Sequence, residues 1–109
     1  MRRYCFALDL KDDETLIAEY ERLHKNVWPE VLASIKESGI ENMEIYRCQN
    51  RLFMIMDVSD SFSFADKAAS DASNIKVRAW EALMWNFQQS LPGSKLGEKW
   101  VLMNPVFKL

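Results

Sequence analysis

One stretch of the chain, Tyr20-Glu21-Arg22-Leu23-His24-Lys25-Asn26-Val27-Trp28-Pro29-Glu30, sets residues capable of proton chemistry beside residues that bind apolar surfaces. His24 is the sole histidine. Imidazole, with an ordinary pKa of about 6.5, both gives and takes a proton near neutral pH. Tyr20 precedes it by four residues, so on a helix the two rings share a face. Trp28 and Pro29 close the segment. A base, a hydroxyl and an aromatic surface brought together suit a polyhydroxylated ligand such as a sugar. Ordinary structural roles compete for the same residues: a capping histidine, a core tyrosine, and a tryptophan plugging a helix junction.

Other candidates are fewer. Trp80 and Trp85 lie five apart, off a shared helical face, so one can line a pocket while the other packs. Tyr46 and Trp100 fall in strand-like segments and read as core residues whose polar tips want partners. Asp57, near the end of an apolar strand, reads as a rim carboxylate or one held by a specific hydrogen bond, with Arg47 across a hairpin as a candidate partner. One histidine makes no histidine-rich metal site, and neither HExxH nor CxxC occurs. The three glycines form neither a GxGxxG nor a Walker loop. No GxSxG elbow supports a Ser-His-Asp triad. What remains is proton transfer in a pocket lined by aromatics.

The elements that must position these residues follow from periodicity. Residues 3–10 alternate Tyr4, Phe6, Leu8 and Leu10 against Cys5, Ala7 and Asp9, a strand pattern. Asp12, Asp13 and Glu14 supply capping groups for a helix carrying Leu16, Ile17, Tyr20, Leu23 and His24. Pro29 cannot continue that helix but suits the first turn of a second one, over 30–38, which Gly39 ends. Residues 43–48 and 52–58 read as a hairpin of strands joined by Gln49-Asn50-Arg51. Helices are expected to about Ser73 and over about 75–90, the second with a stripe of Val77, Trp80, Leu83, Met84 and Phe87. A last strand starts at Trp100 and runs towards Phe107.

Strand, helix, strand, strand, helix, strand is the βαββαβ order of a ferredoxin-like α+β fold, an antiparallel sheet with helices on one side. Its other face would carry Phe53 and Ile55, or Leu52, Met54 and Met56, too much apolar surface to leave wet. A homodimer of the α+β barrel type, with two sheets facing each other, is expected. Under this topology a strand separates Cys5 from Cys48. Strands two positions apart stand about 10 Å from each other, beyond the roughly 7 Å a disulfide spans. Free, buried thiols in a reducing compartment are expected.

At 109 residues the chain reads as a single domain over 1–109, long enough to bury roughly two-thirds of its unfolded surface. Its net charge of −2 argues against a nucleic-acid or anionic-membrane partner. No stretch approaches the roughly 18 apolar residues of a membrane span. The amino terminus alternates like a strand rather than a signal peptide, so a cytoplasmic location is expected.

The segment Tyr20-x-x-x-His24-x-x-x-Trp28-Pro29-Glu30, with Gly39, Asn42, Ile45-Tyr46, Leu52-Phe53 and Trp80, resembles the L-rhamnose mutarotase family. These are small dimeric ferredoxin-like proteins that interconvert anomers of 6-deoxyhexoses. The resemblance implies that His24 is the acid/base group, that Tyr20 binds the sugar, and that Trp80 stacks on its apolar face. Trp28, Met43, Tyr46 and Asp57 are further pocket candidates; Tyr20, Asp57 and water are candidates for the second proton transfer. Neither a metal nor an organic cofactor is implied. Two departures stand out: Met43 where rhamnose-type members carry a sugar-contacting tyrosine, and Ala79-Trp80 where they carry paired tryptophans. Lost polar contacts shift sugar selectivity, so L-rhamnose is the first expected substrate and L-fucose its competitor. Dimeric ferredoxin-like proteins also include cofactor-free monooxygenases and haem-handling enzymes, in which His24 would be an axial ligand. A non-catalytic sugar-binding or stress-response module is the remaining alternative.

Overall fold

The computed structural model describes residues 2–95 and 97–109. The chain runs β1 (Arg2–Leu10), α1 (Glu14–His24), α2 (Pro29–Glu37), β2 (Ile40–Cys48), β3 (Arg51–Val58), α3 (Phe64–Ser73), α4 (Ile75–Trp85), β4 (Gln88–Gln89) and β5 (Val101–Leu102). The strands form one antiparallel sheet in the order β2-β3-β1, with β4 and β5 both against the remaining side of β1. This is the ferredoxin-like arrangement expected from the element order.

Local chemistry explains where the helices begin. Asp13 Oδ1 accepts from the Leu16 amide at 3.0 Å, capping α1. Trp28, held extended by the proline that follows, offers its carbonyl to the Val31 and Leu32 amides, so α2 starts as a new helix. Asn74 Oδ1 accepts from the Lys76 and Val77 amides and starts α4.

Register then sorts the sheet into two faces. Tyr4, Phe6, Leu8 and Leu10 of β1 stand beside Met56, Met54 and Leu52 of β3 on the face covered by helices. Leu8, Leu10, Leu52 and Val58 are sealed there, and Tyr20, Val31, Trp80, Met84 and Phe87 pack over this face. The other face pairs Cys5 with Ile55 and Ala7 with Phe53, flanked by the ion pairs Arg3–Asp57 and Asp9–Arg51. It carries no helix.

Three expectations need correction. The helix expected to reach Ser90 stops at Trp85, because Asn86 and Phe87 bond back to Leu83 and Met84 in a tight turn. The chain can then lay Gln88 against Leu10 and satisfy the backbone of β1. The last strand ends at Leu102 rather than continuing towards Phe107; Met103 still donates to the Cys5 carbonyl at 2.8 Å, but Pro105 has no N–H for a ladder. Both cysteines are free, as expected, yet Cys48 is exposed on the edge strand rather than buried.

Candidate active site

α1 presents Tyr20 and His24 to the sheet one helical turn apart, their ring centroids 4.2 Å from each other. His24 Nδ1 lies 2.8 Å from the Tyr20 backbone carbonyl. A carbonyl only accepts, so Nδ1 carries a hydrogen and the neutral ring keeps Nε2 as its free acceptor. Burial pushes the His24 pKa below its ordinary value, while the hydrogen bond to the Tyr20 carbonyl pulls the other way. The imidazole is therefore neutral, in one tautomer, at neutral pH.

Tyr20 is only 3% exposed. Burial pushes its phenol up to about 12, with the nearby Gln88 side chain pulling the other way. Trp80, brought in by α4, lies edge-on to His24 at 5.6 Å and to Trp28 at 5.2 Å. The aromatic row is thus continuous from Tyr20 to Trp28.

Tyr20, His24 and Trp80 border a cavity of about 730 Å³ between the covered sheet face and the helices. That volume lies in the range of small-molecule sites. Tyr20, His24, Met43, Trp80, Gln88 and Trp100 line it. Charged side chains also contribute to its wall: Lys67 contacts both Asp71 carboxylate oxygens at 2.8 Å, and Lys99 lies 3.9 Å from Glu81. A mostly apolar chamber with a few polar groups, one of them a neutral histidine, is built to orient a hydroxylated molecule and move a proton on it. Among the described residues, no group of three or more His, Cys, Asp or Glu side chains is placed to hold a metal ion. Among the same residues, no helix is long and apolar enough to cross a membrane.

The structure brings together four of the residues singled out from sequence: Tyr20, His24, Met43 and Trp80. Trp28 backs Trp80 rather than lining the cavity. Tyr46 and Asp57 do not line this cavity. Tyr46, read as a core residue, is 54% exposed; its hydroxyl donates to Glu44 at 2.7 Å on the uncovered face, and it borders a second, smaller recess beside α1 that Tyr20 and His24 also line. Asp57 is held on the same uncovered face by Arg3, at 2.7 and 3.0 Å, and that guanidinium keeps its carboxyl below the usual carboxylate range. Arg47, the partner considered for Asp57, instead pairs with Glu21 on α1. Strand alternation separates the two sets: Met43 and Ile45 face the helices, and their neighbours face away. Ala79 is exposed on α4 and does not line the cavity. Two further lining residues are aromatic or amide side chains that the sequence places elsewhere. Gln88 lay hidden inside an apparent helix, and Trp100 read as core; no local signal marks either.

A family model described as L-rhamnose mutarotase matches residues 3–109. An L-fucose mutarotase of Xanthomonas campestris pv. campestris is 51% identical over 111 aligned residues, covering 100% of this chain and 89% of that protein. The crystal structure of an L-rhamnose mutarotase from Formosa agariphila matches with a TM-score of 0.73 at 23% identity, covering 100% of this chain and 99% of that one. A dimeric ferredoxin-like protein from an uncultured marine organism has a TM-score of 0.56 at 10% identity, covering 98% and 90%. At these identities the two structures speak for the fold alone. With the family model spanning nearly its whole length, the chain belongs to the L-rhamnose mutarotase family.

Proposed function

We propose that this protein interconverts the α and β anomers of a 6-deoxyhexose, with L-fucose as its preferred sugar and L-rhamnose second. The observation carrying the chemistry is the neutral His24, its tautomer set by the Tyr20 carbonyl and its Nε2 free at a cavity with ample room for a monosaccharide. The preference for L-fucose rests on the full-length relative at 51% identity, and it reverses the order expected from sequence.

Mutarotation breaks the bond between C1 and the ring oxygen, lets the C1 carbonyl turn over, and closes the ring again. His24 Nε2 takes the proton of the anomeric hydroxyl as the ring opens, and a water relays a proton to the ring oxygen. On closure the C5 hydroxyl gives its proton back to the water relay as its oxygen attacks C1, and the imidazolium returns its proton to the former carbonyl oxygen. General acid–base catalysis of this kind is worth about 10²–10⁴-fold. Tyr20, whose phenol ionises only near 12, binds a sugar hydroxyl rather than transferring a proton. Trp80 offers its ring to the apolar side of the sugar. The steps use neither metal nor organic cofactor.

Residues 1–109 form one catalytic unit in this reading, and two copies pair through the uncovered sheet face, where Phe53 and Ile55 are half-buried. A reducing cytoplasm suits the two unpaired thiols. The test is anomer exchange by saturation-transfer NMR on L-fucose and L-rhamnose in parallel. Acceleration of both, with L-fucose faster, is expected. Acceleration of neither by folded protein would overturn the assignment.

A further inference from the structure

We infer that the Lys67–Asp71 pair on α3 is the specificity-determining contact of the cavity, holding the C3 and C4 hydroxyls of L-fucose. This rests on the mutarotase reading above and deepens it by assigning which hydroxyls are read.

The composition of α3 runs against its place in the fold. A helix beside a core ordinarily turns its apolar residues inward and its charges to water. Here Ala65, Ala68, Ala69 and Ala72 are exposed, whereas Lys67 and Asp71 are drawn in, each side chain only 21% exposed. With Phe64 they sit at i, i+3 and i+7 on one face of the helix, and all three line the cavity. Glu81 and Lys99, the other facing charges of this wall, are more exposed and stand 3.9 Å apart. Charges set against an apolar wall lose hydration, which the hydroxyls of a ligand restore.

Lys67 Nζ reaches both Asp71 carboxylate oxygens at 2.8 Å. An ammonium has three hydrogens, and each carboxylate oxygen accepts more than one bond. The pair therefore keeps a donor and acceptors side by side. Two neighbouring cis hydroxyls match it: one accepts from the ammonium and the other donates to the carboxylate.

Position decides which hydroxyls these are. The chamber joins two packed ends of the sheet. Tyr20 and Trp80, beside His24, pack with Leu10 and Leu52; Phe62 packs with Ile40, Met56 and Val58. Leu52 and Met56 are four residues apart on β3, roughly 13 Å. α3 starts from the second end, where Phe64 lies edge-on to Tyr4 at 4.9 Å and to Phe62 at 5.0 Å. Lys67 follows within one turn, so the pair meets the side of the sugar turned away from C1. The cis hydroxyls of L-fucose are those at C3 and C4. In L-rhamnose they are at C2 and C3, next to the reacting carbon, and C3 and C4 are trans. The same pair thus grips L-fucose and mismatches L-rhamnose.

The test is anomer exchange by saturation-transfer NMR on L-fucose, L-rhamnose and L-fucose lacking its C4 hydroxyl, with the unaltered chain, Asp71→Asn and Lys67→Met. Loss of the C4 hydroxyl is expected to raise KM for the unaltered protein on the order of tenfold. Each variant is expected to show a similar rise for L-fucose, so its preference over L-rhamnose falls by about that factor. On the sugar without the C4 hydroxyl the variants should lose little more, because the contact is already gone. A pair that only stabilises α3 would weaken both natural sugars alike. Equal losses on both, or additive losses on the deoxy sugar, would overturn the inference. The deoxy sugar needs no variant: an unaltered protein that takes it as readily as L-fucose overturns the inference even where the variants fail to fold. Faster exchange of L-rhamnose than of L-fucose would leave the mutarotase reading standing and overturn this one. Acceleration of no sugar would remove the catalytic reading, and the comparison then passes to dissociation constants by ligand-observed NMR. Tighter binding of L-fucose than of its deoxy form is expected there; equal binding, or none, would overturn the inference.

Discussion

A histidine acting as a base needs its proton on the correct nitrogen and a pKa that leaves the other nitrogen empty, and α1 supplies both. The Tyr20 carbonyl takes the Nδ1 hydrogen, and burial disfavours the imidazolium. Because the folded pKa lies below the ordinary 6.5, the unfolded chain binds this proton more readily than the folded one. The stability it contributes is present above about 6.5 and is lost as pH falls through the lowered folded value. With one histidine in the chain, its ring proton resonance titrates without ambiguity. A midpoint below 6.5 is expected, with the acid limb of kcat/KM following it; a midpoint at or above 6.5 would contradict this environment. Tyr20 and His24 were legible in the sequence because a spacing of four on a helix is a geometric statement. Asp57 and Tyr46 were not, because alternation defines two faces of a strand without saying which one the helices cover. That choice is made by long-range packing.

At the scale of elements, the cavity depends on how α2 hands over to β2, since Met43 and Ile45 form part of its floor. Gly39 makes that turn at φ +93°, and its carbonyl accepts from the Ser59 amide at 2.9 Å. A Cβ there would lie 2.8 Å from Ser59 Oγ. Gly39→Ala is expected to cost about 1–3 kcal/mol, from the left-handed backbone and the contact together. Urea unfolding should show a lower midpoint at unchanged slope; an unchanged midpoint would contradict it. Gly39, Pro29 and Asp13 were readable as stop and start signals because each acts through its own backbone. The end of α4 was not: Val77, Trp80, Met84 and Phe87 keep a helical rhythm past Trp85. Only the unpaired backbone of β1 draws Gln88 into the sheet, and that demand comes from residues nearly eighty positions earlier.

For the whole molecule, the sheet leaves one face without helices, and there Cys5, Ala7, Phe53 and Ile55 form a half-buried apolar centre between two ion pairs. A two-fold contact would bring this patch onto its own copy, apolar centre to apolar centre. Phe53→Glu would set like charges against each other there. Sedimentation is expected to show a dimer for the unaltered chain and a monomer for Phe53→Glu; an unaltered chain that sediments as a monomer would contradict the pairing. Catalysis itself is judged most directly by anomer exchange on L-fucose, comparing the unaltered protein with His24→Ala at matched secondary structure by circular dichroism. The expected result is acceleration by the former and loss of about 10²–10⁴-fold in the latter. A folded His24→Ala protein that keeps the full rate would contradict the role of His24 as the acid/base group.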